Sequence, residues 1–245
     1  MPSKVRYWRF KEAGRCTRCG RPNDRVDRVK CSNCGGAMGF SFKPLKKEQL
    51  SRSTRLFLDP DQTHIALLDI ESTGLFGDFD IPLCIVVKTY GKNERHVLVI
   101  DIENRDLLAA EEKLLHDLSL VLNDYDGVIT YYGVGFDVPF LRTRMLAHGL
   151  EPLGKMLHLD VYFTARGKLL LSRNRLQNVI EMLRTADKSI PTKTRVDPEL
   201  WVRATFARDK VAIAQIVEHC VEDVNCLEAV VNKLKDFLPD KIMRR

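Results

Sequence analysis

The sequence predicts a mixed α/β domain, a β-sheet with helices against its faces, preceded by a small head stapled by metal. Three observations predict it. From Thr63 onward, β-branched apolar runs give way to strand–helix alternation, the pattern of a sheet covered by helices. Four of the seven cysteines fall near the start as two C-x2-C pairs, a spacing that suits a metal better than a core. Between these regions, residues 41–62 are polar and punctuated by Pro44 and Pro60, which reads as a linker with a short helix after Pro44. The domains are therefore expected at 1–40, 41–62 and 63–245.

In the head, the knuckles read Cys16-Thr-Arg-Cys19-Gly20 and Cys31-Ser-Asn-Cys34-Gly35. Zinc takes four thiolates in a tetrahedron, and two such pairs deliver them. Glycine after each second cysteine permits the tight turn that aims both sulfurs at one ion. A segment of ~40 residues has too little core to fold alone, so the metal would supply the missing stability. A redox pair is the rival reading, but no βαβ pattern surrounds the knuckles. Residues 1–55 hold 15 Lys and Arg against four Asp and Glu, whereas the remainder holds 24 against 29. A basic head on a slightly acidic body points either to a polyanion such as nucleic acid or to a solvated surface. Over residues 14–38 the pattern resembles the zinc-ribbon family, whose members commonly bind nucleic acid or protein; the resemblance implies one structural Zn2+.

In the body, His64–Ile70 is a continuous apolar run ending in carboxylates, as in a buried central strand. Ile81–Tyr90 and His96–Ile102 are β-branched runs joined by Gly91-Lys-Asn-Glu94, a hairpin. Leucines at 107, 108, 114, 115, 118 and 122 predict a helix over Asp106–Leu122. A strand over Asp126–Tyr132, a helix over Asp137–His148 and a strand over Leu157–Val161 follow, and helices close the chain at Arg175–Thr185, Asp197–Phe206 and Asp209–Leu238. Cys84, Cys220 and Cys226 stand in apolar or helical contexts and read as buried thiols.

The composition, 44% hydrophobic and 29% charged with 14 Gly and 10 Pro, excludes disordered, collagen-like and disulfide-dense secreted classes. No apolar run approaches the ~18 residues that span a bilayer. No secretory signal is expected behind the charged N-terminus. The expected setting is a reducing one, cytoplasmic or nucleoid-associated, with no membrane partner.

Three places carry acids where a sheet-based fold exposes them. Asp69 and Glu71 alternate along the first strand and so share one face. Crowded carboxylates repel unless a cation sits between them, although a solvated turn would also hold them. Asp137 opens a helix after the glycine-rich turn Tyr131-Tyr-Gly-Val-Gly-Phe136, either as a functional acid or as a simple N-cap. His219 and Asp223 stand four apart on one helix face, beside Ile216 and Leu227.

Taken together and in order, these segments resemble the DEDD (DnaQ-like) 3′–5′ exonuclease superfamily, of RNase H-like fold, over about residues 63–235. Asp69–Leu75 matches its Asp-x-Glu-Thr/Ser-Thr-Gly-Leu motif, Phe136–Leu141 its Phe-Asp-x-Pro-Phe-Leu, and Asp223 the last acid of its terminal helix. In detail, including Asp160 in Leu157-His-Leu-Asp160-Val, the chain is similar to the tyrosine-type stand-alone branch related to family B proofreading domains. Two departures stand out. His219 occupies the place of that branch's tyrosine, while the histidine branch places its own histidine one residue further from the acid, where this chain has Glu218. Tyr132 stands where relatives often have Asn.

The resemblance implies a metal-dependent 3′–5′ exonuclease acting on single-stranded DNA or RNA. It implies two Mg2+ or Mn2+ ions on Asp69, Glu71, Asp137 and Asp223, with His219 orienting or deprotonating the attacking water. Leu75 and Phe136 would pack beside the terminal base. The head on Cys16, Cys19, Cys31 and Cys34 would dock nucleic acid or a replication or repair protein. The alternatives are a catalytically silent binding module of the same fold and a structure-directed endonuclease using the same metal site.

Overall fold

The structure, a computed structural model, describes residues 51–193, 196–197 and 199–245. The chain divides into two compact units, Met1–Gln49 and Leu50–Arg245. Cys16, Cys19, Cys31 and Cys34, with the zinc and the basic head expected around them, lie outside the described residues.

The second unit opens with β1 (Ser51–Ser53) and α1 (Thr54–Phe57), then β2 (Ile65–Ser72), β3 (Pro82–Thr89), β4 (Arg95–Val99) and α2 (Leu107–Leu122). It continues through β5 (Gly127–Thr130), α3 (Asp137–Ala147), β6 (Leu157–Asp160), α4 (Val161–Lys168) and α5 (Leu176–Leu183). It closes with α6 (Glu199–Phe206), α7 (Lys210–Lys233) and β7 (Lys241–Met243). β2 to β6 form one sheet in the order β4-β3-β2-β5-β6. β2, β3 and β4 are antiparallel neighbours, whereas β5 and β6 run parallel to β2. The mixed sheet flanked by helices agrees with the α/β expectation.

This order makes β2 the central strand, buried on both faces by Ile65, Ala66, Leu67 and Leu68. The chain leaves the β3–β4 hairpin through α2 and crosses to the other side of β2, as parallel pairing with β5 requires. α2 starts because Asp106 accepts hydrogen bonds from the amides of Leu108 and Ala109; Asp209 does the same for α7 through Val211 and Ala212. α7 buries Ile213, Ile216, Cys220, Val224 and Leu227 and packs on β2 and β3. Its exposed face turns to water, as an amphipathic helix must.

Residues 51–62, expected to be linker, differ from that expectation. β1 pairs antiparallel with β7, and Phe57 is fully buried. The amide of Thr54 donates to the carbonyl of Asp240, and the Thr63 hydroxyl donates to the carbonyl of Phe57. One apolar anchor in a polar stretch leaves no periodicity to read, and three-residue strands leave none either. The last helix also stops at Lys233 rather than Leu238, giving way to a 3-10 turn at Lys235–Phe237 ahead of Pro239. Among the described residues no helix is long and apolar enough to cross a membrane. Cys84, Cys220 and Cys226 are buried and free, as expected.

Candidate functional site

The site forms where the end of β2, the start of α3 and the middle of α7 meet. β2 puts Asp69 and Glu71 on one face, while Ile70 turns to the other and is buried. The ladder to β3 shifts register between Glu71 and Ser72, and there the chain leaves the sheet. The loop that follows is closed by Asp80, which accepts from the Thr73 hydroxyl and the Phe76 amide. A Cβ on Gly74 would lie 2.5 Å from the Asp80 carboxylate, so only glycine passes that point without displacing it.

Asp137 is the first residue of α3. The N-cap position belongs to Phe136, which makes no side-chain cap, so the simple N-cap reading of Asp137 is set aside. Its carboxylate is buried, and the backbone at Asp137 and Ile70 favours its ionised form. The turn ahead of it is held by Asp160, whose carboxylate accepts from the amides of Tyr132 (2.8 Å), Val134 (3.0 Å) and Tyr162 (3.1 Å). Tyr132 has φ of +70°, a left-handed conformation uncommon for a bulky residue. A Cβ on Gly135 would meet the Tyr132 ring at 2.5 Å, which explains the second glycine of the turn.

On α7, His219 and Asp223 are buried. One ligand atom from each of Glu71, His219 and Asp223 lies within 4.8 Å of the other two. His219 Nε2 stands 3.8 Å from Glu71 Oε1. Asp69 joins the group electrostatically with Asp223, Asp137 and Glu71, and its Oδ2 accepts from the Cys220 thiol at 3.3 Å. The three segments therefore converge, with the tightest cluster made by Glu71, His219 and Asp223.

Crowding leaves its mark on protonation. Burial, then the charges of Asp223, Asp137 and Glu71, hold Asp69 well above the usual carboxylate range. Burial and Asp223 raise Glu71 to about 7, and burial foremost raises Asp137 to about 7. Burial lowers His219, which keeps the imidazole neutral and basic at ordinary pH. Among the described residues, Asp223 Oδ1 and His219 Nδ1 are buried without a hydrogen-bond partner. Mutually repelling carboxylates and an unused buried oxygen fit a divalent cation, a hard ion that prefers oxygen.

The family model RNase_H_2, described as RNase_H superfamily, matches residues 66–235, which takes in all five of these residues. The chain belongs to the RNase_H superfamily. A solved structure of the family B DNA polymerase from the hyperthermophilic archaeon Pyrobaculum calidifontis resembles the RNase H-like unit, with a TM-score of 0.51 and 16% identity. The match covers 71% of this chain and 24% of that one, so the chain spans about a quarter of that polymerase's length. No curated protein matches the sequence.

The RNase H-like site also holds residues that sequence reasoning missed. Lys193 donates to Asp223 Oδ2, placing an ammonium among the acids. The Trp201 indole N–H favours the ionised form of Glu71, and its ring stands edge-on to His219 with centroids 6.4 Å apart. Lys193 sits in the proline-bounded stretch Pro191-Thr-Lys-Thr-Arg-Val-Asp-Pro198, and Trp201 in a short helix; neither carries a spacing that marks a site. Beside Glu71 opens a cavity of about 780 Å³, lined by Leu75, Phe79, Phe136, Trp201 and Phe206. Leu75 is exposed and Phe136 half-buried, so both expected base-packing residues border the cavity.

Proposed function

We propose that this RNase H-superfamily chain is a metal-dependent 3′–5′ exonuclease that releases nucleoside 5′-monophosphates from single-stranded DNA or RNA. The observation that carries the reading is the convergence of acids from three distant segments, with a buried Asp223 oxygen left free to take a ligand. Asp69, Glu71, Asp137 and Asp223 would hold two Mg2+ or Mn2+ ions. Such a pair supplies the positive charge that brings an anionic phosphodiester and a hydroxide together and steadies both attacking and leaving oxygens.

The residues do the rest. His219, neutral and close to Glu71, is the group able to take a proton from the attacking water. The Trp201 indole favours the ionised form of Glu71, the form that binds a cation. Leu75 and Phe136 offer apolar faces beside the acids, suited to an unstacked base. In the head, the donor set Cys16, Cys19, Cys31 and Cys34 suits one Zn2+, and its basic surroundings suit docking of nucleic acid or of a replication or repair protein.

The test is release of labelled mononucleotides from single-stranded oligonucleotides with free or blocked 3′ ends, as DNA and RNA, in Mg2+ and Mn2+. The expected result is stepwise release from free 3′ ends only. An Asp69→Ala protein that digests as fast as the parent overturns the reading. Cutting of a substrate blocked at both ends replaces exonuclease by endonuclease.

A further inference from the structure

Next to the apolar cavity lies a second one of about 450 Å³ that also has Trp201 in its wall. Its wall carries Arg173, Arg175, Gln177, Asn178, Lys193 and His219. It shares Trp201 and Val196 with the apolar cavity, and His219 is part of the acid cluster. The two cavities therefore flank one reaction centre, one apolar and one basic.

The basic wall is built by local structure. Leu176, the first residue of α5, is buried, and Arg175 just before it is extended. Arg173 and Arg175 line the same cavity. Between them, the Asn174 carbonyl accepts from the Tyr131 hydroxyl at 2.7 Å, which pins the segment to the turn ahead of Asp137. Both arginines are exposed, and neither guanidinium has a hydrogen-bond or ion-pair partner among the described residues. Glu181, the carboxylate on this wall, is already engaged by Gln177 at 2.6 Å. His219, only 8% exposed, lines the same cavity with an unpartnered ring nitrogen.

Unpaired guanidinium groups beside an acid cluster have no structural task that water could not perform. They do have a use for a polyanion that must approach that cluster. Arginine presents a planar fork that matches phosphate oxygens two at a time.

We propose that Arg173 and Arg175 hold the backbone phosphates of a single-stranded polynucleotide next to its scissile phosphate, the terminal base resting in the apolar cavity that shares Trp201. The placement of the terminal base rests on the exonuclease reading above; the phosphate contacts rest on the cavity itself. The ligand class is a chain of phosphodiesters, so a substrate with one phosphate gains nothing from these arginines.

The experiment compares the full-length chain with R173A/R175A and the charge-keeping R173K/R175K. Binding of a fluorescein-labelled hexathymidylate is followed by anisotropy in Ca2+, over a range of salt. Turnover of thymidine 5′-monophosphate p-nitrophenyl ester, which has a single phosphate, is followed in Mn2+. R173A/R175A is expected to bind at least about tenfold more weakly, and its slope of log affinity against log salt is expected to fall by about 1.4, two phosphate contacts at ~0.7 each. The lysine variant is expected to keep the slope, and the ester is expected to turn over at the parent's rate in both. Unchanged affinity and slope in R173A/R175A overturn the proposal. So does an equal loss on both substrates, which marks the arginines as supports of the reaction centre. If the parent hydrolyses neither substrate yet loses hexamer binding with the arginines, the exonuclease reading falls and the strand site stands.

Discussion

The ammonium of Lys193 donates to Asp223, the buried acid whose other oxygen has no partner among the described residues. The acid cluster thus carries a cation of its own, and burial alone would disfavour Lys193's charge were Asp223, Asp69 and Glu71 not beside it. Removing the lysine therefore has two opposite consequences. Lys193→Ala lowers the melting temperature in EDTA near pH 8, because the acids lose their counter-charge. It also tightens Mn2+ binding by at least about fivefold, the low end of coupling between two occupants of one site. Calorimetry with Mn2+ and melts in EDTA check both; weaker Mn2+ binding in the variant refutes the competition.

The pH dependence of stability follows from the same crowding. Glu71 and Asp137 titrate near 7 in the folded chain and near 4 when unfolded. A carboxyl raised by folding favours the fold in its protonated form, so its contribution is present below about pH 4 and is lost as pH rises through about 7. In EDTA the melting temperature is expected to fall between about pH 5 and pH 8, less so in Glu71→Gln. Mn2+ is expected to restore it at the alkaline end, by about 2.7 kcal/mol at a hundredfold excess over Kd. An EDTA curve flat across this range, with no response to Mn2+, refutes the assignment.

Loss of the site residues separates their roles. Asp69→Ala and Asp223→Ala are expected to abolish metal-dependent turnover. His219→Ala is expected to reduce it by about 10²- to 10⁴-fold, the usual range for a general base, and to remove the acid limb of the pH–rate profile. Initial rates on a labelled oligonucleotide check both; a His219→Ala enzyme with the parent's profile excludes the histidine as base.

Asp160 is a positioning residue of the turn. Asp160→Ala leaves the amides of Tyr132, Val134 and Tyr162 without their acceptor, at about 1–3 kcal/mol for a buried unsatisfied group. Urea unfolding is expected to show a loss of about 3 kcal/mol, with Asp160→Asn intermediate because it keeps one carbonyl oxygen. Equal midpoints for Asp160→Ala and the parent refute the bracing.

Farther from the acids, Glu111 is fully buried, held by Arg144 at 2.6 and 2.7 Å and by His148 at 2.8 Å. Arg144 also donates to the carbonyl of Gly77 and so ties down the loop after β2. Glu111→Ala is expected to cost about 3–5 kcal/mol, since a buried guanidinium loses its partner. The double variant Glu111→Leu, Arg144→Leu is expected to cost less than the single one. Denaturant midpoints decide, and a double variant weaker than the single overturns the account.

How much of this was legible before the structure varies with the kind of signal. Asp69 and Glu71 could be placed on one face because strand alternation is fixed by geometry, and His219 and Asp223 because helical spacing is too. The β3–β4 hairpin and α2 showed in the same way. Asp137 was ambiguous, since a helix-opening Asp reads identically as cap or ligand; only the N-cap falling on Phe136 and the burial of the Asp137 carboxylate among the other acids separate them. Lys193, Trp201 and the arginine pair were invisible, because folding and not local spacing brings them to the site: Lys193 stands 30 positions from Asp223 and Trp201 130 from Glu71. β1 and β7 were invisible for a different reason: three residues make less than two periods of any pattern.

That short pairing has a topological consequence. Ser51 lies opposite Met243, so the two ends of the RNase H-like unit are neighbours. Joined by a brief loop, these ends would permit a circular permutant with new termini in an exposed turn such as Gly91–Glu94, or grafting of the whole unit into a host protein's loop.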